Sequence, residues 1–400
     1  MPIKRISTIL LIIAFAIEAA FARDNDTTSV ATRDCCEAIA GVPLLALGVG
    51  LHLADNGYHS RIDDGNTIAH KSTLDNIAQY SPGALMLALK AAGIESRSSW
   101  GRMLTADAFA AAIYLGATES VKRIANTRRP DQTDCRSFPS GHSAMAFLCA
   151  TMLHKEYGGV SPWYSLGGYT AATATAMARV LNNRHWQEDV LTGAAIGVIS
   201  THLGYLFSDL IFKRRGLTVF DTSLDEERNP SYLGVSMGAT FSLNDITAGG
   251  VKIGNRRGLR TSIAGAYYLS RHFGIGGNLS VNAFNLYNAN DPTPQPSRKS
   301  LANWGGGIGP DFTWQLLPQL NLGARAHLNY SRYPTTTIAS LGTLGGTGGI
   351  GTNIDLSLAI MPNETFSMRI DTGYLLAPSP VKGGDNAQFI TLAFSGAINF

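Results

Sequence analysis

The chain has 400 residues, 45% of them hydrophobic and 15% charged, with a net charge of +3 at neutral pH. It is long enough for two domains and too apolar to be disordered. The small net charge gathers into no long basic block, so nothing electrostatic points to nucleic acid as a partner.

Met1 to Arg5 is a short basic region, and Ile6 to Ala20 is an apolar run interrupted only by Ser7, Thr8 and Glu18. Ala20 and Ala22 put small residues where a signal peptidase reads. Residues 1–22 are therefore expected to be a secretory signal cut before Arg23. An apolar run of about 15 residues is short for a membrane span of roughly 20. Cys35, Cys36, Cys135 and Cys149 show no zinc-ligand spacing. In an exported chain a disulfide from Cys35 or Cys36 to Cys135 and a set of buried free thiols both remain open. The Cys-Cys pair lies too far past the cleavage point for a lipoprotein anchor.

Residues 23–212 read as helices. Ala-rich and Leu-rich segments run over Pro43 to Ala54, Ala84 to Ala92, Ala106 to Lys122, Ser143 to Lys155, Ser165 to Leu181 and Glu188 to Ile211, joined by Gly, Pro and Asn turns. None is a clean apolar twenty: Asp107 and Glu119 break one, His202 and Asp209 another. Residues 213–230 form a polar linker. Beyond it, over 231–400, the period becomes two. Leu320, Leu322, Ala324, Ala326, Leu328 and Tyr330 oppose Asn321, Arg325, His327 and Asn329, and Ile390, Leu392, Phe394, Ile398 and Phe400 form a similar face.

Eight such strands are expected: Leu233 to Leu243, Leu259 to Leu269, Phe273 to Leu286, Trp304 to Trp314, Leu320 to Tyr330, Ile354 to Ile360, Phe366 to Tyr374 and Ile390 to Phe400. The links alternate long (244–258, 288–303, 333–349, 377–387) and short (270–272, 315–319, 361–365). That parity fits a transmembrane barrel better than a soluble sandwich, with short turns in the periplasm and long loops outside. The expected fold is thus two-domain α + β: an all-α helical bundle followed by an eight-stranded antiparallel outer-membrane β-barrel. With an even strand number, the bundle and the C-terminus both face the periplasm. Eight strands leave an interior filled by side chains, so the barrel reads as an anchor.

Three groups in the helical part carry chemistry. The first is "KRIANTRRP", where Lys122 and Arg129 are two helical turns apart and Pro130 ends the helix. The second is Pro139-Ser140-Gly141-His142 ahead of a helix. Ser140 suits an N-cap, Gly141 admits a close ligand, and the free amides favour an anion. The third is "ARVLNNRHWQEDV", with Arg179, His185 and Asp189. An i,i+4 spacing lets the Asp189 carboxylate hold one ring nitrogen of His185 and leave the other as a nucleophile. Lys122, Arg129 and Arg179 would neutralise a phosphate, the amides after Ser140 would cradle it, and His142 would protonate the leaving oxygen. Three cations near two imidazoles oppose a divalent metal, and no cofactor is called for.

In order and spacing these motifs resemble the type 2 phosphatidic acid phosphatase superfamily, which includes lipid phosphatases and bacterial acid phosphatases. The likeness covers about residues 35–212. It departs at Ala178, where the family's third motif normally has Ser before Arg. The resemblance implies metal-independent hydrolysis through a phosphohistidine on a helical bundle, with a lipid phosphate as substrate. Lipid A phosphate is the first expectation. Undecaprenyl diphosphate, phosphatidylglycerol phosphate, soluble esters or an inactive structural domain are the alternatives. Beyond the lipids of the outer membrane, the sequence identifies no protein partner.

Overall fold

The computed structural model describes residues 41–54, 74–213, 215–218, 230–248, 251–291, 300–317, 320–338, 341–361 and 366–400. The expected signal, Cys35, Cys36 and most of the 213–230 link lie outside these residues. The described chain falls into two compact units, one holding 41–54, 74–176 and 188–218, the other 177–187 and 230–400.

The helices are α1 (Gly41–Leu53), α2 (Leu74–Ala78), α3 (Ser81–Ala91), α4 (Trp100–Ala125), α5 (Gly141–Tyr157), α6 (Pro162–Leu181) and α7 (Gln187–Phe212). All six expected helices are present, and α2 is added. Five residues are too few to show a periodicity. Helix α7 is the one helix among the described residues long and apolar enough to cross a membrane, yet 83% of its apolar window is buried. It serves as the core of the bundle. Glycines let its neighbours approach to backbone contact: a Cβ on Gly193 would sit 2.4 Å from Ser140 O, and one on Gly197 2.3 Å from Ala144 O. Asp209, which interrupts the apolar run of α7, is spent on ion pairs with Arg97 (2.9 Å) and Arg102.

The second unit is a closed barrel. Its strands are β1 (Tyr232–Ser242), β2 (Ile246–Ala248), β3 (Val251–Tyr268), β4 (Phe273–Asn288), β5 (Leu301–Leu317), β6 (Leu320–Arg332), β7 (Thr336–Ile338), β8 (Gly342–Leu344), β9 (Gly348–Ile360), β10 (Phe366–Ala377) and β11 (Ala387–Asn399). Eight long antiparallel strands run in the order β1-β11-β10-β9-β6-β5-β4-β3, and β3 pairs back onto β1 to close the ring. The long links are shorter than expected. Strand β3 already starts at Val251 and β9 at Gly348, while β2 and the β7–β8 hairpin occupy parts of the remainder. Here the backbone ladder outlasts the hydropathy pattern: Lys252 and Arg257 stand in β3 where the outward apolar alternation has stopped.

Alternation along the wall is inside-out relative to a soluble protein. In β6, Asn321, Arg325, His327 and Asn329 are buried, whereas Leu322, Leu328 and Tyr330 are 43%, 58% and 54% exposed. Burying a charge while exposing leucine is unfavourable in water and favourable in hydrocarbon. Inside, Arg325 Nη2 lies 2.7 Å from Asp371 Oδ1 and 3.5 Å from Asp355 Oδ2. Tyr268 and Tyr232 hydroxyls donate to the two oxygens of Asp311 at 2.6 and 3.1 Å. Toward the β7–β8 end, Phe284, Leu301, Tyr333, Ile338, Leu344 and Phe389 form an apolar cluster. Side chains crowd the interior and leave a cavity lined by Tyr232, Arg260, Asn278, Arg325, His327 and Asp371.

Candidate active site

The turn Ser137 to His142 is held from α7. Ser140 N donates to Asp189 O at 2.9 Å, and Ser137 Oγ donates to the Asp189 carboxylate. Ser140 is the N-cap of α5, its Oγ accepting from Ser143 N at 3.3 Å. Gly141 then starts the helix, and a Cβ there would meet Lys122 Nζ at 3.3 Å. The lysine ammonium therefore stands beside the first amides of α5, where backbone dipoles and a fixed cation converge on one small volume.

Tyr114, Thr118 and Lys122 share the face of α4 that meets this turn, at i, i+4 and i+8. Tyr114 OH donates to Gly141 O at 3.3 Å, and a Cβ on Gly141 would lie 4.0 Å from Thr118 Cγ2. Burial pushes the Tyr114 phenol up to about 12, so it remains a donor at neutral pH. Burial also holds the Lys122 ammonium below its ordinary range. Glu119 and Asp134 oppose that shift, while the cations of Arg129 and Arg136 add to it. An anion beside Lys122 would relieve both the desolvation and the crowding of positive charge. Tyr114 and Thr118 were not singled out in the sequence. The signal was there, since they continue the buried stripe Arg102, Met103, Ala106, Ala110 of α4.

Two helical geometries expected from the spacing are not present. Arg129 is not on α4 with Lys122, because that helix ends at Ala125 with Asn126 in the left-handed conformation, φ 46°. Asn tolerates that conformation and stops the helix before Pro130 can. Arg129 instead sits in a folded-back loop, its Nε 2.7 Å from Asp134 Oδ1 and its backbone N bonded to Asp134 O at 3.0 Å. Likewise His185 is not one helical turn from Asp189 within a helix, because α7 starts only at Gln187. Trp186 joins His185 to the start of α7. Asp189 lies in the first turn of α7, a favourable place for a carboxylate.

Arg179 occupies the last turn of α6, and the backbone N atoms of Arg184 and His185 return to its carbonyl at 3.0 and 3.3 Å. Both side chains are buried, Arg179 at 6% and His185 at 2% exposure. Thus Lys122, Ser140, Gly141, His142 and Asp189 lie in the first unit with Arg129, and Arg179 and His185 are tied together in the second. Among the described residues Cys135, exposed, and Cys149, buried, form no disulfide. Among the described residues no cluster of three or more His, Cys, Asp or Glu side chains could hold a metal ion.

Comparison with known proteins shows what this helical part and the barrel are similar to. Residues 105–213 match the family model described as the PAP2 superfamily. Over 141 residues the chain is 48% identical to the lipid A 1-phosphatase of Porphyromonas gingivalis, a match spanning 35% of this chain and 32% of that protein. The chain therefore aligns with about a third of that relative's length. The barrel resembles Neisserial surface protein A (12% identity, 42% of this chain and 97% of that one, TM-score 0.29). It also resembles the outer membrane protein OprG of Pseudomonas aeruginosa (10% identity, 44% and 97%, TM-score 0.33).

Proposed function

We propose that the chain is a metal-independent lipid phosphatase, with lipid A phosphate as its first substrate. The observation that carries this reading is the Lys122 ammonium set against Gly141 at the start of α5, a built receptor for a tetrahedral anion. The 48% identity to a protein named as a lipid A 1-phosphatase supports the choice of lipid. In the proposed reaction a ring nitrogen of His185 attacks phosphorus and the P–O bond to the lipid breaks. His142 gives its proton to the departing oxygen. Water then attacks the phosphohistidine, giving a proton to His142 as the P–N bond breaks, which releases inorganic phosphate and restores both histidines. Lys122, Arg129 and Arg179 balance the charge on the equatorial oxygens, and Asp189 orients His185.

The location is part of the proposal. Residues 1–22 direct export, the barrel anchors the chain in the outer membrane, and the catalytic domain faces the periplasm. Exposed Leu322, Leu328 and Tyr330 over buried Arg325 and His327 support the membrane assignment. Tethering raises local concentration only for a substrate that is itself at the membrane.

The test compares phosphate release from lipid A, undecaprenyl diphosphate and nitrophenyl phosphate, without added metal, by the full chain in detergent. Release from lipid A exceeding that from nitrophenyl phosphate at equal concentration is expected. Equal turnover would mean a non-specific phosphatase. Preference for the diphosphate would move the substrate to the undecaprenyl lipid, and no release from any of the three would favour an inactive, structural domain. A second variant checks the cradle itself. Gly193→Ala forces a Cβ to within 2.4 Å of Ser140 O and so displaces the turn. A loss of about 10²-fold in kcat/KM is expected, with helical circular dichroism retained.

A further inference from the structure

Helix α2 contributes a side chain to the proposed site from 66 residues upstream of His142. Asn76 Oδ1 lies 3.0 Å from His142 Nε2. We propose that Asn76 is a positioning residue that holds the His142 ring and favours its protonated form; this rests on the reading of His142 as proton donor.

An amide oxygen only accepts, so Nε2 carries the proton of this bond. Hydrogen bonds from a charged donor are stronger than those from a neutral one, so the contact stabilises imidazolium more than imidazole. The imidazolium carries a proton on each nitrogen, and holding one of them at Asn76 fixes the ring plane and the direction of the other. A general acid needs both properties: charge at the working pH and aim.

The placement of Asn76 is braced. Gln79 Nε2 donates to Asn76 O at 2.8 Å, closing the short helix on itself. Helix α3, which follows directly, packs so tightly on α5 that a Cβ on Gly83 would lie 3.0 Å from Cys149 Sγ, two turns along α5 from His142. Tyr80, between α2 and α3, is near enough to Tyr114 to add to the rise in its pKa. The titratable and charged groups around the turn and Asn76 are His52 on α1, stacked on Phe138 at 3.9 Å, Asp75 beside Asn76 on α2, Tyr114 and Lys122 on α4, Glu119, Arg129, Asp134 and Arg136, which act on Lys122, and Asp189 on α7. All of them stay unchanged in the variants below.

The test is a pH titration of the His142 ring by NMR, in the full chain with labelled histidine in detergent micelles. Wild type, Asn76→Ala and Asn76→Asp are compared, with His142→Gln assigning the resonance. The His142 pKa is expected to fall by about half to one unit in Asn76→Ala and to rise by a similar amount in the isosteric Asn76→Asp, which adds a negative charge. On an alkyl phosphate Asn76→Ala should lose about tenfold in kcat with KM unchanged, and the alkaline limb of kcat should follow the NMR value in each variant. A His142 pKa that stays put in both folded variants, or moves the same way in both, overturns the proposal. If the wild type hydrolyses no ester, the phosphatase reading fails, while the titration still decides whether Asn76 governs His142.

Discussion

His185→Ala is expected to reduce phosphate release from every ester by about 10⁴-fold or more, because removing a nucleophile removes the covalent route itself. His185 is 2% exposed and lies in the short connection from α6 to α7, its backbone tied to Arg179 O. Cutting the ring back to a methyl group leaves those backbone bonds in place, so the barrel should still run as a compact species on an unheated gel. The partner measurement is His142→Ala. There the loss should depend on the ester: small for nitrophenyl phosphate, whose leaving oxygen needs little protonation, and about 10²-fold for an alkyl or glycosyl phosphate. A His185→Ala protein that keeps its turnover would refute the nucleophile assignment, and a His142→Ala loss equal on all esters would remove the general acid.

The contrast between these two histidines also shows what the sequence holds. Residue types at short spacing were enough to nominate both, since Gly141 directly precedes His142 and Asp189 follows His185 by four positions. Two helical geometries assumed along the way do not exist: Asn126 ends α4 early, and α7 begins after His185. Local spacing nominates residues but predicts their backbone poorly, because helix ends are decided by single residues such as Asn126. Asn76 was invisible for a different reason, and Tyr114 and Thr118 were legible only as part of the buried stripe of α4, not as neighbours of the turn. Their link to the turn is tertiary, made where α2 and α4 meet the start of α5, and no short-range pattern encodes it. In the barrel the reverse holds. Alternation found all eight strands, since the apolar wall writes its period directly into the chain, but it stopped where that wall stops, short of the true strand ends in β3 and β9.

The interior of that wall makes the other large prediction. Arg325→Leu is expected to lower barrel stability by about 3–5 kcal/mol, read as a shift of the urea midpoint for loss of the compact gel species. Arg325 Nη2 serves Asp371 at 2.7 Å and approaches Asp355 at 3.5 Å, while Nη1 donates to Tyr232 OH at 3.2 Å. Leucine would fill part of the volume and leave two buried carboxylates facing each other with one cation fewer. If charge is the cause, Arg325→Leu combined with Asp355→Asn and Asp371→Asn should regain most of the loss, because the neutral amides remove the repulsion. If the triple variant is no more stable than the single one, packing around the guanidinium is what matters. An effect below about 1 kcal/mol for Arg325→Leu would place these charges in water, in a barrel more open than its side chains make it. Turnover of nitrophenyl phosphate by the same variant should stay near wild type, since every residue proposed to touch the phosphate lies outside the strands that Arg325 joins.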